Sequence, residues 1–327
     1  MKVTFQNYYS QEAQQTHKTN SQIGVYEECP LLWWHQYQEC DYKPDRDFTH
    51  FTVGHFFEDA LLDGYDKALE TLAFEHPTCF RDVTIDQIRE TLESYPDIKQ
   101  VQVQFPELFV SRGERKGQLK ASFKVTDAMR VGFPSVFAQQ GPLKAEFNIQ
   151  PMLDAVNGQP YVKMYLQGER DCVIKGVINE VPCMGLCDLL DHENKRIVDI
   201  KTTQDIEKQE WVDSLGRRAP FYEKWNYWRQ MAFYQELVMQ MTGERYECYL
   251  VVVDKPTRSR RICKATVIDM NEPKRMAWEL AKARLSLFGM SQGVINCQCG
   301  DCEVCRERVK ISAPVKAIDY RQVGANE

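Results

Sequence analysis

The sequence has no apolar run of about 18 residues, the length a bilayer-spanning helix needs, so no transmembrane helix is expected. It also lacks an apolar segment near its start, where residues 1–18 read MKVTFQNYYSQEAQQTHK, and a secretory signal peptide is therefore not expected. No Walker A phosphate loop is present, which excludes an ATP-driven motor of that type in this chain. We expect a cytoplasmic protein whose twelve cysteines are mostly reduced.

Positive charge is not in excess either, because the net charge of the 327 residues is −6. An acidic total argues mildly against a nucleic-acid binder when overall charge alone is considered. Phosphate contacts depend on local charge, however, and basic clusters could line a channel or simply be solvated surface. These clusters are Arg112, Arg115, Lys116, Lys120 and Lys124; Arg217 and Arg218; and Arg258, Arg260 and Arg261.

Internal repeats and low-complexity tracts are absent, and helical and strand patterns share the chain. Strands framed by helices favour an α/β fold with a mixed central sheet that helices flank. Apolar periodicity predicts the strands at about 161–178, 182–190, 195–201, 246–253 and 262–268. The predicted helices are residues 21–39, 52–72, 84–97, 204–213, 221–242 and 271–290.

Residues 185–203, GLCDLLDHENKRIVDIKTT, carry the most informative pattern. Two apolar runs flank the polar DHENKR segment, which predicts a hairpin. Asp199 and Lys201 are two residues apart, so their side chains leave the second strand on one face. The hairpin would bring Asp188 to the same end of the sheet. Two carboxylates and a lysine would then converge, a set suited to a hard divalent cation and to hydrolysis, although an isolated Asp-x-Lys is also common on solvated surfaces.

Two predicted helices carry polar residues that fit the same chemistry. In residues 52–62, TVGHFFEDALL, His55 lies opposite the apolar face of the helix, where it also fits a surface or capping role. In residues 225–238, WNYWRQMAFYQELV, Gln230 and Tyr234 are four apart and share one helix face. That second helix also fits simple packing of an aromatic helix on the sheet.

The order His, Asp, Asp-x-Lys, Gln-x-x-x-Tyr resembles the RecB-like group of the PD-(D/E)XK nuclease superfamily. Residues 20–37, NSQIGVYEECPLLWWHQY, are similar to the opening helix of its exonuclease VIII (RecE-like) branch, in which Asn-Ser begins the helix and Cys-Pro follows. The resemblance covers roughly residues 20–62 and 160–305. It implies a single nuclease domain over 1–327, with N-terminal helices (about 20–75), a variable insertion (about 76–150), a catalytic core (about 160–270) and a C-terminal helix plus cysteine cluster (271–310).

The resemblance also implies a metal site. Asp188 and Asp199 would bind Mg²⁺ or Mn²⁺, and His55 would be a ligand or lie near the ion. The family usually adds a glutamate from the strand before Asp188. Glu169, in QGERDCVIKGVI, is the first choice for that residue, and Glu146, in LKAEFNIQ, is the second.

The implied activity is that of an exodeoxyribonuclease, a phosphodiester hydrolase acting on linear duplex DNA in phage-type recombination or DNA end processing. Lys201 would orient the attacking water and steady the developing charge, while Gln230 and Tyr234 would help position DNA and support the metal site. The implied setting is the cytoplasm of a bacterial or phage-infected cell. A single-strand annealing protein and a homo-oligomeric ring are the implied assemblies, with no membrane partner.

Two other functions remain open from the sequence. One is a non-catalytic DNA-binding or assembly subunit that keeps the fold, which the intact Asp188, Asp199 and Lys201 argue against. The other is an endonuclease or repair nuclease that uses the same chemistry.

A cysteine cluster lies near the C-terminus, in CQCGDCEVC, and comprises Cys297, Cys299, Cys302 and Cys305. Thiolates two and three residues apart in a reducing compartment favour a metal site over disulfides. Four such cysteines could hold a structural Zn²⁺. The resemblance implies an alternative, in which Cys299, Cys302 and Cys305 join Cys29 around a [4Fe–4S] cluster; without a metal, Cys29 would be a buried core thiol. Packing roles are expected for the other cysteines, Cys40, Cys79, Cys172, Cys183, Cys187, Cys248 and Cys263.

Overall fold

The computed structural model describes residues 3–43, 49–81, 84–137, 143–257, 259–295, 299–300 and 302–306. The chain forms two compact units, of which the first comprises Met1–Phe48 and Pro151–Glu327 and the second Thr49–Gln150. The expectation of one nuclease domain with an insertion at about 76–150 remains a prediction. Among the described helices, none is long and apolar enough to span a membrane.

The first unit is built on two sheets. Their strands are β1 (Glu169–Ile178), β2 (Val181–Asp191), β3 (Arg196–Thr203), β4 (Gln209–Val212), β5 (Arg217–Pro220), β6 (Glu247–Asp254) and β7 (Ala265–Asp269). The larger sheet has five strands in the order β1-β2-β3-β6-β7, while β4 and β5 form a separate antiparallel ribbon. In the larger sheet β3 and β6 run parallel and the other neighbours run antiparallel. The predicted mixed sheet is therefore confirmed.

Helices flank the sheet within the first unit, and other helices form most of the second unit. In chain order they are α1 (Gln11–Thr16), α2 (Asn20–Glu28), α3 (Pro30–Trp34), α4 (Thr49–Asp63), α5 (Tyr65–Glu75), α6 (Ile85–Ser94), α7 (Ile98–Gln104), α8 (Asp127–Gly132), α9 (Pro134–Phe137), α10 (Gln150–Asn157), α11 (Pro160–Lys163), α12 (Phe221–Lys224), α13 (Tyr227–Thr242), α14 (Pro273–Ser291) and α15 (Glu303–Arg306).

The core of the first unit forms between the sheet and α13, with α14 and α2 packed beside α13. Met231 and Leu237 of α13 and Leu287 of α14 are fully buried there, beside strand residues such as Ile174 and Leu250. Each buried aliphatic side chain of this size contributes about 1.5–3 kcal/mol. This packing holds α13 against the strands that carry Asp188 and Asp199.

The second unit has its own apolar core. Its fully buried residues include Leu92 of α6, Val101 of α7 and Met129 of α8, and aromatic side chains fill the space between them. Thr84 caps α6 through a capping box with Gln87, as its sequence predicts. The unit therefore has the buried apolar cluster expected of a compact body.

Several predicted helices are interrupted or replaced. Pro30 starts a new helix after Cys29, which breaks the predicted helix 21–39, and Gly64, with φ of 97°, separates α4 from α5. Asn226, with φ of 57°, divides the helix predicted over 221–242. The helix predicted over 204–213 is wrong, because residues Gln209–Val212 pair with β5 as a strand instead.

Candidate active site

The site lies where β2 and β3 separate. Their ladder pairs Asp191 with Arg196 and continues to Leu189 with Val198. The next pair in this register would be Asp188 and Asp199, but the ladder ends before it. Asp188 Oδ2 instead accepts a hydrogen bond from the backbone N–H of Ile200, at 2.6 Å. At this point a side-chain hydrogen bond takes the place of the backbone hydrogen bonds between the two strands. Asp188 thus lies close to β3, the strand that carries Asp199, as predicted.

Asp199 is held by charge and by a hydrogen bond. Its side chain is only 1% exposed, and its Oδ2 forms an ion pair with the Lys201 ammonium group. Its Oδ1 accepts a hydrogen bond from Gln230 Nε2 at 2.9 Å. Because a buried carboxylate without partners would be costly, these contacts explain how Asp199 can be placed so deeply.

Helix α13 supplies the rest of the polar network. Gln230 Nε2 also lies 3.1 Å from the hydroxyl of Tyr234, so both residues of the predicted pair point toward Asp199. Lys201 Nζ stands 5.2 Å from the centroid of the Tyr227 ring, a cation–π distance. Gly185 of β2 makes room for the helix, since a Cβ atom there would lie 2.7 Å from a ring carbon of Tyr234.

The electrostatics of the site follow from burial and crowding. Burial, and then the neighbouring Asp199 carboxylate, raises the pKa of Asp188 to about 7. Burial alone would lower the pKa of Lys201, but the Asp199 and Asp188 carboxylates outweigh it and raise that pKa. Burial chiefly raises the pKa of Tyr234 as well. One ammonium group therefore faces two carboxylates, which leaves an excess of negative charge.

Asp171 of β1 is a third carboxylate beside this pair, and the sequence analysis missed it. The β1–β2 register pairs Arg170 with Leu189 and Cys172 with Cys187, which brings Asp171 to the level of Asp188, although the ladder skips this pair. Asp171 Oδ2 also lies 3.9 Å from the Arg170 guanidinium. Its charge contributes to the raised pKa of Asp188. It adopts a left-handed conformation, with φ of 50°, which is uncommon within a strand. Counting the register outward from the turn between Ile178 and Val181 would have identified it.

The two glutamates predicted as metal ligands belong to different units. Glu169 begins β1 and stands opposite Leu190, and its Oε2 is 3.6 Å from His192 Nε2. Glu146 belongs to a short 3₁₀ turn, Ala145–Phe147, in the second unit. Glu169 thus lies near His192, and a metal role for either glutamate remains a prediction.

His55 lies in α4 of the second unit, where Phe56, Phe57 and Ala60 are buried as the apolar pattern predicts. Its place among metal ligands remains a prediction.

A second group of ligand-type residues lies away from the carboxylates. Cys29, Cys299, Cys302 and Cys305 bring their sulfur atoms within 4.8 Å of one another. Cys29 caps the start of α3, and its sulfur accepts a hydrogen bond from the Leu32 N–H. Cys297, also part of the predicted cluster, lies outside the described residues. The structure therefore unites the N-terminal cysteine with the C-terminal ones.

One solved structure has a similar fold over nearly the whole chain. A crystal structure of a putative exonuclease from Eubacterium rectale aligns with a TM-score of 0.66 at 18% sequence identity, covering 98% of both chains. At this identity the likeness shows the fold alone. A crystal structure of a phage related exonuclease from Haemophilus somnus 129PT also matches, at 14% identity and a TM-score of 0.25, covering 52% of this chain and 86% of the other. That second likeness is too weak to support an argument.

The chain matches one family model over the segment that contains the strands and the candidate site. No curated protein matches the chain. Residues 132–308 match the family described as a PDDEXK-like domain of unknown function (DUF3799), and this range holds Asp171, Asp188, Asp199, Lys201 and Gln230. The match extends over more than half of the 327 residues, and the predicted PD-(D/E)XK fold is confirmed. The chain is a member of this PDDEXK-like family.

Proposed function

We propose that the protein is a divalent-metal-dependent DNA exonuclease that hydrolyses phosphodiester bonds of linear duplex DNA. The observation that carries this proposal is the convergence of Asp188, Asp199 and Lys201 where β2 and β3 separate, with Gln230 bonded to Asp199. The Eubacterium rectale protein is named a putative exonuclease, which favours the same reaction.

The chemistry of the donor set suits a hard cation. Mg²⁺ and Mn²⁺ prefer carboxylate oxygens, and Asp188 and Asp199 supply them, with Asp171 on the adjacent strand. Burial chiefly raises the pKa of Asp188, and the charges of Asp199 and Asp171 raise it further, so a dication would relieve the repulsion among these carboxylates. When bound, the ion would supply Lewis-acid activation of the phosphodiester and of water.

The chain's own residues then have distinct tasks. The Lys201 ammonium stays charged beside Asp199 and can hold the attacking water and offset negative charge that develops on phosphate. Gln230 fixes the orientation of Asp199, and Tyr234 in turn contacts Gln230. The Lys201 side chain is 21% exposed, whereas the Asp199 side chain is 1% exposed. Of this ion pair, Lys201 is therefore the residue that a phosphate group can contact.

The biological setting that we propose follows the exonuclease VIII resemblance. A nuclease of this branch would trim one strand of duplex DNA and leave the other for a single-strand annealing partner, in phage-type recombination or end processing. A homo-oligomeric ring around the duplex belongs to the same proposal.

One assay tests the activity. The purified chain is given end-labelled linear duplex and a closed circle of the same sequence, with Mg²⁺, with Mn²⁺ or with EDTA. We expect metal-dependent loss of the linear DNA and survival of the circle. Asp199→Asn and Lys201→Met should each reduce the rate by about 100-fold or more, since each removes a charge from the reacting centre.

Glu193→Gln is the matched control, because Glu193 is an exposed carboxylate in the turn between β2 and β3. It should retain the rate of the natural chain, and circular dichroism should report the same fold for all variants. Cleavage of the circle would identify an endonuclease instead. DNA binding without cleavage would identify a non-catalytic subunit, and full activity of Asp199→Asn would refute the site.

A further inference from the structure

The sulfur atoms of Cys29, Cys299, Cys302 and Cys305 are spaced for a single ion. The Sγ–Sγ distances are 3.9 Å between Cys29 and Cys305, 3.7 Å between Cys299 and Cys305, and 3.4 Å between Cys302 and Cys29. Four thiolates at about 2.3 Å from one Zn²⁺ in a tetrahedron lie about 3.8 Å from one another. The observed spacing agrees with that geometry.

A [4Fe–4S] cluster does not fit this spacing. Each of its four thiolates binds a different iron atom at a corner of a cube, so the width of the cube separates the sulfur ligands. Here all four sulfur atoms lie within 4.8 Å of one another, which leaves room for one ion between them and none for a cube of iron and sulfide. The iron–sulfur alternative that the family resemblance implies therefore disagrees with the geometry of this chain.

The surroundings of the cysteines are those of a built site. Two backbone N–H groups donate to the sulfur atoms, from Leu32 to Cys29 at 3.2 Å and from Cys305 to Cys302 at 3.4 Å. Such hydrogen bonds stabilise thiolates and orient them toward a metal. Gly300, which follows Cys299, has a φ of 67°, a left-handed conformation that glycine adopts without strain.

Apolar and polar contacts surround the inner side of the site, where Cys29 and Cys305 are buried, while Cys299 is exposed. Leu31, Leu32 and Val304 form a small buried cluster with Cys29 and Cys305. The Tyr42 hydroxyl donates to Glu303 Oε2 at 2.7 Å, which adds a second link between the N-terminal segment and α15. A closed tetrahedral site with no open position is typical of structural zinc and not of a catalytic ion.

We propose that Cys29, Cys299, Cys302 and Cys305 bind one structural Zn²⁺ that ties the start of α3 to the segment after α14. Zn²⁺ suits four thiolates because it is borderline-soft and has no geometric preference against a tetrahedron. Zinc binding at these cysteines does not depend on nuclease activity. Its readouts are metal content, colour and thermal stability.

The test is elemental analysis of the full-length protein, purified anaerobically without added metal. We expect one zinc per chain and a colourless solution. Replacement of zinc by Co²⁺ should produce the visible absorption of a tetrahedral thiolate complex. Cys302→Ser should lose the zinc and melt at a lower temperature, whereas Cys40→Ser, which removes a cysteine outside the group, should keep both.

Asp199→Asn separates this ion from any at the carboxylates, since it should still carry one zinc per chain. A brown protein containing iron and sulfide would overturn the proposal, as would a red protein with one iron. The proposal would also be overturned by protein that contains neither zinc nor iron and whose thiols are free or joined as a disulfide.

Discussion

Three aspartates stand on neighbouring strands, and their mutual repulsion has to be offset for the site to form. Asp171 faces Asp188 across β1 and β2, and Asp188 lies next to Asp199 at the end of the β2–β3 ladder. Like charges directly opposite each other in a sheet destabilise it by about 0.2–1 kcal/mol. Lys201 offsets part of this repulsion, and the remaining negative charge is the property that would attract a dication.

Substitutions of Asp171 and of Glu169 can be compared to test which of the two is the third carboxylate of the candidate site. Asp171→Asn should lower the nuclease rate by about tenfold or more and raise the Mg²⁺ concentration needed for half-maximal rate, because it removes a charge opposite Asp188. Glu169→Gln should leave both unchanged, since Glu169 contacts His192. The measurement is the rate of linear DNA loss over a range of Mg²⁺ concentrations. The reverse result would assign the role to Glu169.

At the scale of secondary structure, the site depends on how closely α13 packs against β2. Gly185 is the residue that permits this approach, because the Tyr234 ring occupies the space that a Cβ atom would need. The hydroxyl of Tyr234 accepts a hydrogen bond from Gln230, which also donates to Asp199. A glycine on β2 thus helps to determine the position of a carboxylate on the neighbouring strand β3.

We expect Gly185→Ala to destabilise the protein by about 1–3 kcal/mol through overpacking, and to reduce nuclease activity because Tyr234 is displaced. The measurements are urea unfolding and the rate on linear DNA. Gly176→Ala is the control, since its added Cβ meets mainly the flexible end of the Gln240 side chain and should cost less. Equal stability of the two variants would contradict this account of Gly185.

Local signals predicted much of this architecture, whereas its interruptions depend on single residues. The two-residue turn at Asn179 and Glu180 and the end of α13 at Gly243 follow from turn and capping chemistry. The break at Asn226 was missed, because its left-handed conformation is supported by surrounding structure that periodicity does not reveal. Periodicity predicts a helix at residues Gln209–Val212 because it does not reveal their strand partner, β5, which lies beyond an intervening turn.

In the candidate site, too, some residues are predictable from local spacing and others are not. Asp199 and Lys201 were predictable from a spacing of two, and Gln230 and Tyr234 from a spacing of four, because these periods are properties of strands and helices. Asp171 was missed because its position depends on the register between two strands. A shift of register by one residue moves every side chain to the other face, so the choice among nearby carboxylates requires the pairing itself.

At the scale of the whole molecule, the stability of the first unit should depend on pH through a buried lysine. Lys18 is 8% exposed, and its ammonium donates to the Gln15 carbonyl and lies over the Trp33 ring. Burial lowers the pKa of Lys18 to about 8, against about 10.4 in an unfolded chain. Folding is therefore penalised while the lysine is protonated in both states, and the penalty disappears as the pH rises through this window.

We expect the free energy of unfolding to rise between about pH 8 and 10.4 through this group, because the unfolded chain then binds more protons. Lys18→Met should remove that rise, so its advantage over the natural chain should shrink as the pH increases from 8 to 10. Tryptophan fluorescence in urea is a suitable measurement, since all six tryptophans belong to the first unit. Lys274→Met, at an exposed lysine, is the control, and an identical pH profile for both variants would contradict the prediction.

The parallel pairing of β3 with β6 has a consequence for synthesis on the ribosome. Strands β1, β2 and β3 follow one another as hairpins, so Asp171, Asp188, Asp199 and Lys201 emerge within a short stretch of chain. The other neighbour of β3 is made only after α12 and α13, and Gln230 arrives with α13. A nascent chain that ends before α13 thus carries Asp199 and Lys201 on an exposed sheet edge, without the helix and the strand that orient them.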